Sequence, residues 1–154
     1  MRLRFIDRLL SLEACVSASA LKCVTFEEAM LPRPNLARGV PTTLLVEWFG
    51  QLAALLVAES TQYQSLAVLG SFAACSFGAP LLAGEVATIS IKVRSWHDDS
   101  AFLDGMIQTE TATALNIQRA VVAFVPRHDL WDEADLRAAV LSAKGIFPKP
   151  VGFR

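Results

Sequence analysis

One apolar stretch constrains the fold of this chain more than any other feature. It covers residues 42–58, TTLLVEWFGQLAALLVA, and after its two threonines the only polar side chains are Glu47 and Gln51. A helix that is apolar on every side is buried in a core. Residues four apart lie on the same helical face. The sequence therefore predicts a buried central helix from which Glu47 and Gln51 project together.

The carboxylate of Glu47 is the first candidate for chemistry. Burial of an ionised carboxylate is costly unless the group is paired, hydrogen-bonded or protonated. Groups held in such surroundings often serve in catalysis. The alternative is a structural glutamate that backbone donors or a partner subunit satisfy, and the pattern alone does not choose between the two.

Length and composition predict one domain that associates with a second chain. The 154 residues suit a single domain, here taken as residues 1–154 with a core over about 4–126 and a terminal helix over about 132–144. Hydrophobic residues make up 53% of the chain and charged residues only 19%, more apolar than is typical of a soluble monomer. We expect a subunit interface to bury the excess.

Charge and cysteine usage argue against several classes of partner. The net charge is -1 with both signs interspersed, so we expect no nucleic-acid partner. Cys15, Cys23 and Cys75 lack metal-ligand spacing and predict reduced, buried thiols in a cytoplasmic protein. We do not expect the first eight residues, which are rich in charge, to form a signal peptide. The apolar stretch is slightly short for a membrane span and carries a carboxylate.

The remaining pattern predicts a run of antiparallel strands around the central helix, an α+β arrangement. The spacing predicts a short amphipathic helix over 5–12 and a first strand over 14–26. Thr42 is expected to cap the central helix after a proline-rich loop. Further strands are expected over 84–94, 102–110 and 118–125, with Asn116 starting a turn between the last two.

Four segments resemble the (3R)-hydroxyacyl-ACP dehydratases. The segment GVPTTLLVEWFGQ (39–51) is similar to the family's M-P-G-V-L-x-V-E-A-x-A-Q, and RFIDRLLSLE (4–13) resembles the family's start. KCVTFEE (22–28) resembles its first strand, and APLLAGE (79–85) resembles its R-P-V-x-P-G-D/E element. The segments occur in the family's order, and the resemblance extends to about Pro126.

This resemblance implies a hot-dog fold, in which an antiparallel sheet wraps a long central helix. It implies dimers whose two active sites lie at the subunit interface, each with a histidine from one subunit and a carboxylate from the other. The implied substrate is a β-hydroxyacyl chain on the phosphopantetheine of acyl carrier protein or CoA, which loses water. No other cofactor is implied.

Carried over by position, Glu47 matches the family's catalytic carboxylate and Gln51 the glutamine that supports it. The family's histidine, fourteen residues before the glutamate, falls on Arg33, which cannot accept a proton. Thr42 matches the glycine whose N–H polarises the thioester carbonyl, and its own N–H can still serve as that donor.

Two interpretations are open for Arg33 and Arg38, and two for the aromatic residues Trp48 and Phe49. The arginines either attract the anionic carrier protein and phosphopantetheine phosphate or are solvated residues of a loop. Trp48 and Phe49 either line an acyl tunnel, where Trp48 would bind substrate, or fill the core. The two histidines, His97 and His128, are expected at the surface.

Three functions remain open at this point. The first is a dehydratase subunit that lacks its own histidine and works in a heterodimer with a related hot-dog subunit in fatty-acid or polyketide-type biosynthesis. The second is a self-sufficient homodimer with an altered mechanism, either a dehydratase or a hot-dog thioesterase with Glu47 at its centre. The third is a non-catalytic protein that binds acyl carrier protein.

Overall fold

The computed structural model describes residues 6–30, 38–129 and 132–145. A long helix lies against one face of a six-stranded antiparallel sheet. Three α-helices are described, α1 (Phe26–Ala29), α2 (Thr42–Ser60) and α3 (Glu133–Ala143), and a short 3-10 helix covers Arg127–Asp129. The strands are β1 (Arg8–Glu13), β2 (Ser17–Cys23), β3 (Ser65–Phe77), β4 (Val86–Trp96), β5 (Ser100–Gln108) and β6 (Thr113–Pro126). Their order across the sheet is β1-β2-β4-β5-β6-β3.

The predicted central helix is confirmed as α2, the core of the fold. Its fully buried side chains include Trp48, Phe49, Leu52, Leu55 and Leu56. By length and composition alone α2 would suffice to cross a membrane, but most of it is buried against the sheet. The prediction of Thr42 as N-cap is wrong: Pro41 takes that position and no side chain caps the helix. The ring of a proline fixes its φ at a value that is compatible with the start of a helix.

Strand β4 covers most of the strand predicted over 84–94, and its side chains alternate between the two faces of the sheet. Ala87, Ile89 and Ile91 are buried on the side of α2, whereas Ser90 and Lys92 between them point to the outer face. In β4 the sheet therefore has an apolar inner face and a polar outer face.

Two further local predictions are wrong, one over residues 8–13 and one at Asn116. Residues 8–13 form β1 rather than a helix, and a bulge between Leu9 and Ser11 hides the alternation that a strand would show. Asn116 lies inside β6 rather than at a turn. The β5–β6 turn falls at 109–112, where the Thr109 hydroxyl accepts the N–H of Ala112 at 3.2 Å.

The C-terminal helix α3 forms close to its predicted bounds. Asp132 caps it by accepting the N–H of Ala134 at 2.8 Å, and Gly145 follows with φ +74. Leu136 and Val140 are buried, whereas Leu141 on the same helix is exposed. Leu136 packs against Ala58, so α3 covers the C-terminal end of α2.

Candidate functional site

Glu47 lies in the second turn of α2 and is exposed, so the prediction of a buried carboxylate is wrong for the single chain. The sheet covers one side of the helix, and Glu47 lies on the other. Gln51, one turn later, is only 4% exposed. Its Nε2 donates to Glu47 Oε1 at 3.1 Å. A buried amide thus holds a carboxylate that remains open to solvent.

The side of α2 around Glu47 is incompletely covered. Thr43, Glu47, Gly50 and Ala54 follow one another at helical spacing, and none of the four is buried. A Cβ added to Gly50 would meet nothing within 4 Å. A ligand or a second chain can therefore approach the carboxylate from this side.

The other predicted site residues divide between the helix start and the core. Thr42 is the first residue of α2 and is exposed, and Arg38 is exposed in the segment before it. Arg33 lies outside the described residues. Trp48 and Phe49 are completely buried, so both rings fill the core of this chain.

A buried ion cluster under Trp48 was missed from the sequence. Lys22 is 2% exposed, and its Nζ lies 3.1 Å from Glu28 Oε1 and 3.7 Å from Asp7 Oδ2. The same Nζ is 5.6 Å from the centroid of the Trp48 ring. The sequence feature that could have indicated this cluster is the position of Lys22 on β2, where alternation places it on the same face as the buried residues Ala18 and Ala20. Through Lys22 on β2, this cluster links Glu28 of α1 to the ring of Trp48 in α2.

The two histidines lie at the surface as predicted. His97 is exposed at the end of β4, and His128 is exposed beside Asp129, 3.3 Å away. The chain has no third histidine. An imidazole in the site must therefore come from one of these two or from another chain.

The prediction of buried thiols is wrong for Cys15 and Cys23, which are exposed, while Cys75 is half-buried. Cys15 lies in the β1–β2 turn with φ +59, and Cys23 ends β2. Partial burial raises the pKa of the Cys75 thiol. All three cysteines are free. Among the described residues, no group of three or more histidine, cysteine or acidic side chains is placed to hold a metal ion.

Comparison with solved structures confirms the predicted hot-dog fold. The chain is similar to the PaaI protein from the phenylacetic acid degradation operon of E. coli, with a TM-score of 0.61 and 18% identity over 75% of this chain and 81% of that one. The fluoroacetyl-CoA thioesterase FlK gives a TM-score of 0.66 at 10% identity, over 82% and 96% of the two chains.

The dehydratase heterocomplex ApeI:P from Xenorhabdus doucetiae gives a TM-score of 0.65 at 13% identity, over 82% of this chain and 86% of that one. No protein-family model matches the chain, and no curated protein sequence matches it. At these identities the likeness defines a hot-dog protein and leaves its reaction open.

Proposed function

We propose that this chain is a subunit of a hot-dog oligomer that acts on acyl thioesters, with Glu47 as its proton-transfer group. The contact from the Gln51 amide to the Glu47 carboxylate carries the proposal, because it orients a charged acceptor on the open side of the central helix. A carboxylate held in this way is suited to general acid–base work. FlK and ApeI:P, with the same fold, are described as a thioesterase and a dehydratase.

The first candidate reaction is dehydration of a β-hydroxyacyl chain on the phosphopantetheine of acyl carrier protein or CoA. A base takes the α-proton, the β-hydroxyl leaves as water with a proton from an acid, and a carbon–carbon double bond forms. Glu47 supplies one of these groups. Arg33 cannot supply the other, so a related subunit that keeps the histidine supplies it in our proposal.

The free thiols support a cytoplasmic location.

The edge of the sheet supports our proposal that a second chain binds. Strand β3 is at the edge of the sheet and is 13 residues long. Its apolar side chains Val68, Phe72 and Phe77 are 46%, 39% and 48% exposed. A long, exposed, apolar edge strand is a template for pairing with another chain. We propose that a second hot-dog chain pairs with β3 and covers the open side of α2.

Thioester hydrolysis is the second candidate, and it too is supported by the makeup of the open side of α2. Of the four residues described on that side, Glu47 is the ionisable one. Hydrolysis needs one base: water loses a proton to it and adds to the carbonyl, and the carbon–sulfur bond breaks to release a thiol. A carboxylate alone can fill that role. A protein that only binds acyl carrier protein would show neither reaction.

The test is a pair of assays on the purified chain. Hydration of a crotonyl thioester is followed by loss of enoyl absorbance, and hydrolysis is followed by release of free thiol. Glu47→Gln is compared with Glu27→Gln, which makes the same change at an exposed position on α1. Turnover in either assay should disappear only in Glu47→Gln.

If the chain alone is inactive, it is mixed with a histidine-bearing hot-dog subunit. The heterodimer proposal then expects dehydratase activity that requires both chains and is lost with Glu47→Gln. Full activity of Glu47→Gln in any of these assays contradicts the role of Glu47. Tight binding of acyl carrier protein without turnover in any mixture supports the binding-protein alternative instead.

A further inference from the structure

A groove of about 760 Å³ crosses the outer face of the sheet. It runs along β5 from Phe102 to Met106, with β4 and β6 as its two sides. Because neighbouring residues of a strand point to opposite faces, these side chains project away from α2. The groove is therefore separate from Glu47, and the acyl-thioester proposal makes no use of it.

Irregular pairing of three strands shapes this groove. The pairing shifts between Val93 and Ser95 on β4 and between Leu103 and Gly105 on β5. On β6, Arg119 has φ +51, and its N–H donates to Asp104 Oδ1 at 2.9 Å. Such bulges bend strands and increase their twist. These irregularities coincide with the groove, where the charged side chains converge.

Positive charge is concentrated in the groove. Lys92, Arg94 and Arg119 line it with one carboxylate, Asp104, which gives a local formal charge of +2 (three minus one) in a chain whose net charge is -1. The guanidinium of Arg94 is paired with Asp104. Within the described part of the chain, Lys92 and Arg119 have no ion-pair partner and both are exposed. Two cations are therefore available to an anionic ligand.

The two ends of the groove are apolar. Phe102 lies at one end, its ring 6.1 Å from the His97 ring in an edge-on arrangement, and Met106 lies at the other. Met106 is four positions further along β5 than Phe102, a length of about 13 Å. Ser95 and Asn116 add hydrogen-bonding groups along the sides. The lining thus combines a flat aromatic surface, polar groups and a charged centre.

We propose that the groove is a binding site for a nucleoside diphosphate. The diphosphate would lie between Lys92 and Arg119, and the base would stack on Phe102. Phosphate recognition by converging cations is strong because the hydrogen bonds are charge-assisted, and a volume of this size is ordinary for a small-molecule site. A free anion would use only the charged centre, and an uncharged nucleoside only the aromatic end.

Calorimetric titration with ADP, pyrophosphate and adenosine tests the proposal. We expect ADP to bind at least about tenfold more tightly than either fragment, a difference of about 1.4 kcal/mol. Added salt should weaken ADP binding, because the two cations are exposed. Equal affinity for pyrophosphate and ADP would show an anion site without a base pocket and would overturn the proposal.

Variants locate the site. The double variant Lys92→Gln/Arg119→Asn removes both available cations, and asparagine tolerates the positive φ at position 119. It should weaken ADP binding by about tenfold or more. Arg8→Gln, the loss of one positive charge at an exposed position of β1, should change it less than about twofold. Far-UV circular dichroism checks that each variant is folded.

The competing occupant of this face is a second copy of the chain. Sedimentation with and without ADP distinguishes the two. If the wild-type chain forms an assembly that the double variant breaks and that ADP leaves unchanged, the face is an interface between copies and the nucleotide proposal is wrong. Unchanged ADP affinity in the double variant would also overturn it.

Discussion

The ring of Phe49 in α2 lies against the backbone of Gly105 in β5, in the space that a side chain at position 105 would occupy. A Cβ built on Gly105 would overlap ring atoms Cδ2 and Cε2 of Phe49. Phe49 is completely buried and has little room to turn aside. This contact holds the central helix on the middle of the sheet, directly behind the outer groove.

Gly105→Ala is expected to destabilise the fold by about 1–3 kcal/mol, the usual cost of overpacking a core. Urea denaturation measures the free energy of unfolding. The matched test is the same substitution in a Phe49→Leu background, where the smaller side chain leaves room for the added methyl group. The cost of Gly105→Ala should fall there, and an equal cost in both backgrounds would contradict the contact.

The parts of the fold that were predicted correctly have a regular local period. The apolar run of α2 and the alternation of β4 each identify their element without knowledge of its neighbours. The prediction for β1 was wrong because its bulge interrupts the alternation. The prediction for the β5–β6 turn was wrong because β-branched threonines favour a strand. The first error comes from pairing between strands, which a single segment does not encode, and the second from residue preferences that the turn at 109–112 overrides.

The candidate site was predicted only in part, because the sequence of one segment does not show how separate elements pack together. The spacing of Glu47 and Gln51 indicated that they share a face, and the contact between them agrees. The sequence did not indicate which side of α2 the sheet covers, so the exposure of Glu47 was missed. The cluster around Lys22 joins residues from separate elements, so no pattern within a single segment predicts these contacts.

Lys22→Met is expected to destabilise the fold by about 3–5 kcal/mol, because removing one partner of a buried ion pair leaves the other uncompensated. Glu28 is the affected partner, with its side chain 12% exposed. Lys92→Met, the same change at an exposed position on β4, should cost little. Thermal or urea unfolding of both variants checks this, and equal stability of the two would show that the Lys22 pairs contribute nothing.

Tyr63 is expected to make the docking of α3 sensitive to alkaline pH. Burial and the hydrogen bond that its hydroxyl donates to Glu59 at 2.7 Å raise the pKa of Tyr63 from 10.0 to about 12. A raised pKa in the folded state stabilises the fold below the unfolded value, and this contribution is lost as the pH rises from 10.0 to about 12. Lys144 and Arg137 also face this group.

The Tyr63→Phe variant isolates that contribution. The difference in free energy of unfolding between wild type and Tyr63→Phe should be constant up to about pH 10 and should shrink above it. Because Lys144 and Arg137 are present in both proteins, their own titration largely cancels in the difference. A difference that does not change with pH would show that the hydroxyl is not tied to Glu59.

Asp104 is expected to make the stability of the fold sensitive to acid pH. Its partial burial disfavours the charged form, but the Arg119 N–H and the Arg94 guanidinium outweigh this and hold the pKa of Asp104 below 3.8. A lowered pKa stabilises the fold above the unfolded value, and this contribution is lost as the pH falls below 3.8. Asp104→Asn should therefore be less stable than wild type at neutral pH and should approach it in acid.

Phe72 is expected to lie in the interface if β3 pairs with a second copy of the chain. Its cross-strand partner Ala120 is completely buried on the inner face, so Phe72 points to the helix side of the sheet edge while remaining 39% exposed. Phe72→Lys places a charge at that seam and should weaken dimerisation by about tenfold or more in analytical ultracentrifugation. Phe26→Lys, on α1, should leave it unchanged. A wild-type chain that is monomeric at every concentration contradicts the homodimer. The heterodimer then requires that Phe72→Lys weaken binding of the histidine-bearing subunit instead.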